Sequence, residues 1–323
     1  MDSLIIPALY VYGAFLFVLV SSKRAANWKI VIVLALALRL FALCFRHDVG
    51  HDIENYLAVL QKCDLTSINR SEVFWLVACI PSSITSDIVP FPFLWIGIID
   101  SLLFLVMARL AGWRIAALHD LIYLPVLEMG AIRQALAMKI AVISVILMLR
   151  PYRSFAIKNL ILTAPLIHLS AIVPTAVIKW MNSRLVPKIC LLILLAGATY
   201  FIVTPELTEK INYYVGLEGF RSETQIYASW FKRAIITFVS PLMISTLPIY
   251  WLLYLIGLAI ATFEFYIPEI ALRLGAYFEQ FEIFLIGSQM SPRMRRMGTA
   301  WYLMVALLYT ARYFVNLNSI PKL

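Results

Sequence analysis

Charge is what this sequence has little of. Only 14% of its residues are Asp, Glu, Lys or Arg, against roughly 25% in a soluble domain. Apolar residues fill the deficit: they make up 62% of the 323 residues and give a mean hydropathy of +0.87. No soluble core of this length needs so much apolar sequence, so a soluble domain is excluded. Alternation is missing as well. The apolar runs are continuous and about 20 residues long, where a β-barrel would show alternating stretches of about ten. Cysteine is sparse, and Cys44, Cys63, Cys79 and Cys190 have neither metal-site nor redox-motif spacing. There is no internal repeat of solenoid length and no low-complexity tract. These absences leave an all-α, polytopic integral membrane protein, read as a single transmembrane domain over 1–323 with no room for a soluble module.

What is present is a succession of apolar segments joined by short basic loops. The net charge of +9 sits at segment ends, which is the positive-inside pattern and not a nucleic-acid footprint. The first run, Leu4–Val20, follows Met1-Asp2-Ser3 and precedes Lys23-Arg24. It reads as a retained anchor with its N-terminus outside rather than a cleaved signal. Further segments are expected at about 28–46, 91–109, 115–128, 131–149, 156–170, 171–181 and 188–203. Pro241 and Pro248 divide 233–265 into two. Pro268 opens another segment, which runs to Arg293, Arg295 and Arg296, and the last spans about 299–317. The expected total is about 10–12 transmembrane helices, with 47–90 and 204–232 as outer-face loops carrying interfacial or re-entrant helices.

The stretch Gly130–Ser170 organises the candidate site. One apolar arm enters with Arg133-Gln134 in its first turn and descends to the basic loop Arg150, Arg153, Lys158. The next returns and ends at His168 and Ser170. Each arm is long enough to cross one hydrocarbon core of about 25–30 Å. Both polar pairs therefore fall on the side opposite the basic loop. The same reasoning places Arg46, His51, Asp52, Tyr56, Glu72, Arg221 and Arg273 on that outer side. Arginine cannot deprotonate and grips phosphate in a bidentate fork. Arg133 and Arg273 lie in the first turns of inward-running helices, whose N-terminal N–H groups add to the positive field. Such a place suits a pyrophosphate at the membrane surface. Taken singly, each residue also has a structural reading. Arg46 can snorkel, Arg133 can pair in helix packing, and His168 can be a hydrogen-bonded structural histidine. Asp52 can cap a helix and Arg221 can be solvated. Arg39, at mid-depth, is expected to pair with a buried carbonyl or carboxylate.

Three islands resemble one family. Arg46, Gly50, Asp52 and Tyr56 resemble its Arg-x-x-x-Gly-x-Asp-x-x-x-Tyr pattern after an outward segment. Arg133, Gln134 and Ala137 with His168, Ser170 and Ala171 resemble its Arg-Gln and His-x-Ser-Ala pair. Arg273, Tyr277 and Phe278 resemble a late Arg-x-x-x-Tyr-Phe. Together they resemble the EpsG-like branch of bacterial polysaccharide polymerases, the Wzy-type O-antigen and exopolysaccharide polymerases. Two departures stand out: Glu72-Val73-Phe74-Trp75 replaces a Glu-Pro-Gly-Tyr-like stretch, and Leu169 follows His168 where the family commonly has Lys.

The resemblance implies a glycosyltransferase-C-like polymerase in the bacterial inner membrane with its site facing the periplasm. It would transfer a growing glycan from undecaprenyl pyrophosphate to the terminal sugar of a lipid-linked repeat unit. A flippase and a chain-length regulator of the same pathway would be its partners, besides the lipid bilayer. Arg133 and Arg273 first, then Arg46, would stabilise the charge on the leaving pyrophosphate. His168 or Asp52, His168 by preference, would take the proton of the attacking hydroxyl. Gln134, Tyr56, Tyr277 and Arg221 would complete the glycan and pyrophosphate contacts. No cofactor is implied, and with no metal cluster in the sequence the mechanism is expected to be metal-independent. Two rivals remain: a transporter or flippase of lipid-linked or anionic solutes, and a related membrane ligase or acyltransferase. A transporter would carry pseudo-repeats and polar groups at mid-membrane, of which Arg39 is the main candidate.

Overall fold

Apolar runs in a chain with so few charges satisfy their backbone polar groups by coiling, and every element among the described residues is helical. The computed structural model describes residues 2–22, 29–45, 56–59, 74–75, 78–79, 93–129, 131–150, 159–181, 223–245 and 247–318. In chain order the helices are α1 (Asp2–Ser21), α2 (Lys29–Cys44), α3 (Leu94–Ala111), α4 (Trp113–Tyr123) and α5 (Ile132–Met148). There follow α6 (Ala164–Ile167), α7 (Ile172–Met181), α8 (Glu223–Met243), α9 (Pro248–Ala261), α10 (Pro268–Glu279), α11 (Glu282–Gly287) and α12 (Gly298–Asn318). Three stretches among the described residues are long and apolar enough to cross a membrane: Leu4–Ser21, Leu94–Ala111 and Pro248–Phe265.

Local sequence explains the breaks. Gly112 separates α3 from α4 with φ of 97°, a conformation that a residue bearing a Cβ rarely adopts. After Tyr123 the helix widens to a π turn, Leu124–Glu128, in which Met129 N–H donates to Leu124 O at 3.0 Å. Pro125 sits in that turn and has no N–H to continue an ordinary ladder. The segment expected over 156–170 is not one helix. It is a 3-10 turn (Leu160–Thr163), the single turn α6, and an extended His168. Pro165 at the start of α6 removes the donor that would have carried the preceding turn onward. The segment expected from Pro268 to Arg296 is likewise divided, by a turn at Gln280–Phe281 between α10 and α11. Residues 223–232 belong to α8 and not to the expected outer loop. Within 47–90, residues 56–59, 74–75 and 78–79 are helical.

The chain packs as two units, Met1–Leu169 with Gly287–Leu323, and Ser170–Ile286. In the first, helix directions can be read from contacts. Tyr10 stacks on Phe314 and hydrogen-bonds Asn318, so α1 and α12 run antiparallel. Arg114, opening α4, donates to Val20 O at 3.0 Å and Ser22 O at 2.6 Å, and its guanidinium covers the Tyr302 ring. Arg150 donates to Leu110 O, so α3 and α5 finish side by side. The start of α3 meets the end of α2 so closely that a Cβ at Gly97 would stand 2.9 Å from Cys44 N. One end of the bundle thus gathers Ser22, Arg114, Arg150 and Tyr302, and the other gathers Cys44, Gly97 and the start of α5. This is the alternation that the basic loops led one to expect for 1–149.

Polarity runs inside out. Ile30, Val33 and Leu34 on α2, and Leu303, Leu307 and Leu308 on α12, face outward. The interior of the first unit holds ions. Arg39, fully buried, donates to Asp120 Oδ2 at 2.7 Å, Asp100 Oδ2 at 2.6 Å and Ser101 Oγ at 2.8 Å. Its guanidinium also lies over Phe104. Lys139 Nζ reaches both Asp100 oxygens at 2.7 and 2.8 Å. Tyr12 Oη donates to Asp120 at 2.6 Å, and His119 Nδ1 lies 3.7 Å from Asp120 Oδ1. The cluster ties α1, α2, α3, α4 and α5 together, and its cations balance its carboxylates. An apolar exterior around paired charges is the arrangement a bilayer demands. It confirms that Arg39 pairs with carboxylates. Replacing one member strands the others. Arg39→Met is expected to destabilise the folded state by about 3–5 kcal/mol, read as lost thermal stability of the detergent-solubilised protein.

Candidate functional site

Two groups of the sequence-predicted site residues are drawn together, one in each unit. In the first unit the site grows from the start of α5. Ala131 precedes the helix with φ −77° and ψ 64°, and Arg133 stands in the first turn. The first N–H groups of a helix have no partner in their own helix. Here the Arg133 N–H donates to Tyr56 Oη at 3.4 Å. The Arg133 guanidinium lies 5.2 Å from the Trp75 ring centre and 5.8 Å from that of Tyr56, within reach of cation–π attraction. Those rings support each other: Tyr56 and Trp75 are 5.4 Å apart, and Phe74 meets both edge-on. Beneath them is a buried apolar cluster that includes Phe93, Ile96, Ile132, Leu136 and Cys79.

His168 is anchored at the same cluster through its neighbour. Ile167 packs against the group containing Ile132 and Leu136. His168 itself is half-buried and extended, with φ −148° and ψ 120°, and its N–H closes the α6 turn on Ala164 O at 3.0 Å. Arg133, Tyr56 and the residue before His168 therefore share the bundle end opposite Arg114 and Arg150. Gln134 is buried. Cys79 is disulfide-bonded, which the cysteine spacing did not suggest. Arg46, Asp52 and Arg221 lie outside the described residues, as do His51 and Glu72.

In the second unit α10 carries Arg273, half-buried, and one turn later Tyr277, fully buried. Ser170 Oγ donates to Tyr277 Oη at 3.2 Å. Ser170 and Tyr277, which come from two different sequence islands, thus meet in a hydrogen bond within this unit. α10 is held from α8 by Arg233, which pairs with Glu264 and Glu279 at 2.8 Å each. Lys232 pairs with Glu282 at 2.9 Å, and Tyr254 Oη donates to the same carboxylate at 3.0 Å.

The ionic cluster around Arg39 is larger than its lone mid-depth arginine suggests in sequence. Asp100, His119, Asp120 and Lys139 were visible as ionisable residues inside apolar segments, where each is expensive unless paired. Requiring those charges to cancel would have found them. The aromatic backing of Arg133 by Trp75 carries no comparable signal, because Trp near a segment end reads first as an interfacial belt residue.

An all-helical bundle with an apolar exterior and internal ion pairs defines an integral membrane protein. A model of the EpsG family matches residues 29–322, nearly the whole chain, and the chain belongs to the EpsG family. That family points to a polysaccharide-polymerase-like membrane protein. No curated protein and no solved structure matches.

The Ser170–Tyr277 contact makes a separate prediction. Ser170→Ala and Tyr277→Phe should each cost about 1 kcal/mol, and the double variant should cost less than the sum, as residues sharing one bond do. Thermal melts of the purified protein check this.

Proposed function

We propose that this protein is a polysaccharide polymerase acting at the outer face of the bacterial inner membrane. The donor is a glycan on undecaprenyl pyrophosphate, and the acceptor is a repeat unit on a second lipid carrier. The acceptor hydroxyl oxygen forms a bond to the donor's anomeric carbon. The bond from that carbon to the phosphate oxygen breaks, and lipid pyrophosphate leaves with the bonding electron pair. The hydroxyl proton passes to His168, with Asp52 as the alternative acceptor. Negative charge grows on the leaving group, so fixed cations lower the barrier and no metal is required of the mechanism.

The observation that carries the reading is the placement of Arg133. It is a permanent cation in the first turn of a helix, backed by Tyr56 and Trp75, at the bundle end away from the basic residues. A helix start adds its own N–H dipoles to that field. Arg273, in the second turn of α10, is the candidate cation of the second unit, with Tyr277 one turn further on. Sidedness has two supports. Arg114 and Arg150 at the opposite end favour a cytoplasmic position for it under the positive-inside rule. Cys79, in the cluster under Arg133, is disulfide-bonded, and disulfides persist on the oxidising side.

A transporter would also use ions at mid-depth. Those found here are closed off: Arg39, Asp120 and Lys139 are fully buried in mutual pairs, which describes a strut and not a path.

In cells lacking their own copy of the polymerase, Arg133→Ala, Arg273→Ala and His168→Ala should each leave single-repeat product with the protein still in the membrane. Loss of a group that meets developing charge is worth about 10²–10³ in rate, so long chains should vanish from a gel of surface polysaccharide. Normal long chains from both Arg133→Ala and His168→Ala would refute the assignment.

A further inference from the structure

The buried ions of the first unit raise a question of purpose. Exchanging such a cluster for well-packed apolar residues is often neutral or stabilising, so strength alone does not explain charges in an apolar bundle. What ion pairs supply is direction, and fixing register is their best-attested use. α5 needs it. Ile132 and Gln134–Ile146 are buried on every side of the helix, Ala135, Ala137 and Ala141 among them. Apolar contact is non-directional and by itself favours no one register. Lys139 adds a directional contact, holding both oxygens of Asp100, whose place on α3 is fixed in turn by Arg39 from α2.

Taking Arg133 as the pyrophosphate cation proposed above, we propose that Lys139 and Asp100 are positioning residues for it. Their ion pair sets the height and rotation of α5 and so holds the Arg133 guanidinium against Tyr56 and Trp75. Lys139 lies six residues past Arg133, about 9 Å along the helix. A slip of a single residue would shift α5 by about 1.5 Å and turn it by about 100°. That would take the guanidinium off both rings and break the contact with Asp100 at the same time. The two features occupy one rigid rod, so what locks one places the other.

The test compares Lys139→Met with Lys139→Met/Asp100→Asn. The single variant leaves an unbalanced carboxylate. The double restores neutrality, keeps the Arg39–Asp120 pair and leaves an Asn oxygen for Arg39. Two readouts are taken: the yield of long surface chains, and the rate at which a cationic methanethiosulfonate modifies Ala131→Cys in detergent-solubilised protein. Residue 131 directly precedes α5 and is half-buried, so its labelling rate follows the helix start without needing turnover. Lys139→Met should shift the labelling rate severalfold and lower chain yield by about 10²-fold, as a displacement near 1 Å can. The double variant, neutral but without the ion pair, should accumulate normally and keep both shifts. If Lys139→Met does not accumulate, Lys139→Arg takes its place and should shift labelling in the same sense. Labelling unchanged by the single variant overturns the proposal. So does a double variant whose labelling returns to the parent rate, which would trace the shift to the stranded carboxylate and not to the lost ion pair. The two readings fail separately. Shifted labelling with normal chains keeps the lock and removes the role of Arg133. Unshifted labelling with lost chains removes the lock and leaves Arg133 in place.

Discussion

The first unit turns on one fact: Asp100 and Asp120 are buried carboxylates, and the charges of Arg39 and Lys139 offset theirs. Each of these residues belongs to a different helix. Neutrality is therefore not a local property of any segment but a condition on how the segments assemble. Leaving one helix out, or letting it slide, exposes an uncompensated charge to a medium of low dielectric. Apolar contacts such as those lining α1 and α12 would permit many neighbouring packings. The ion cluster accepts few. Tyr12 adds α1 to the same constraint through its hydroxyl on Asp120.

From that constraint the two ends of the bundle follow. With α1, α3 and α5 descending and α2, α4 and α12 returning, Arg114 and Arg150 cap one end by hydrogen-bonding carbonyls at the ends of neighbouring helices. The other end is built of aromatic rings and a helix start, with Arg133 between them. The chemistry of the ends differs accordingly. One presents cations already occupied with the backbone. The other presents a guanidinium over ring faces, a setting that keeps it oriented.

Much of this was legible in the residues. Alternating apolar segments and basic loops gave α1 to α5 within a few residues, because segment length and positive loops are set by the bilayer itself. Arg39 was understood to need a buried partner. Its partners were not named, since pairing between helices depends on packing that no single segment encodes. The single helix expected before His168 was wrong because Pro165 acts locally, while hydropathy averages over many residues. The wide turn at Leu124–Glu128 escaped for the same reason. Of the site, Arg133, Tyr56, Tyr277 and Ser170 came out of island spacing, and the structure adds contacts among them that spacing cannot specify. Trp75 had no signal that separated it from an ordinary interfacial tryptophan.

The proposed reaction requires a lipid diphosphate to bind at the Arg133 end of the first unit. A structure of the full chain with undecaprenyl pyrophosphate bound addresses this directly. Phosphate oxygens within hydrogen-bonding distance of the Arg133 guanidinium, at the Tyr56 and Trp75 end, are the expected result. Phosphate held instead at the Arg114 and Arg150 end, or in the interior beside Arg39 and Lys139, would contradict it.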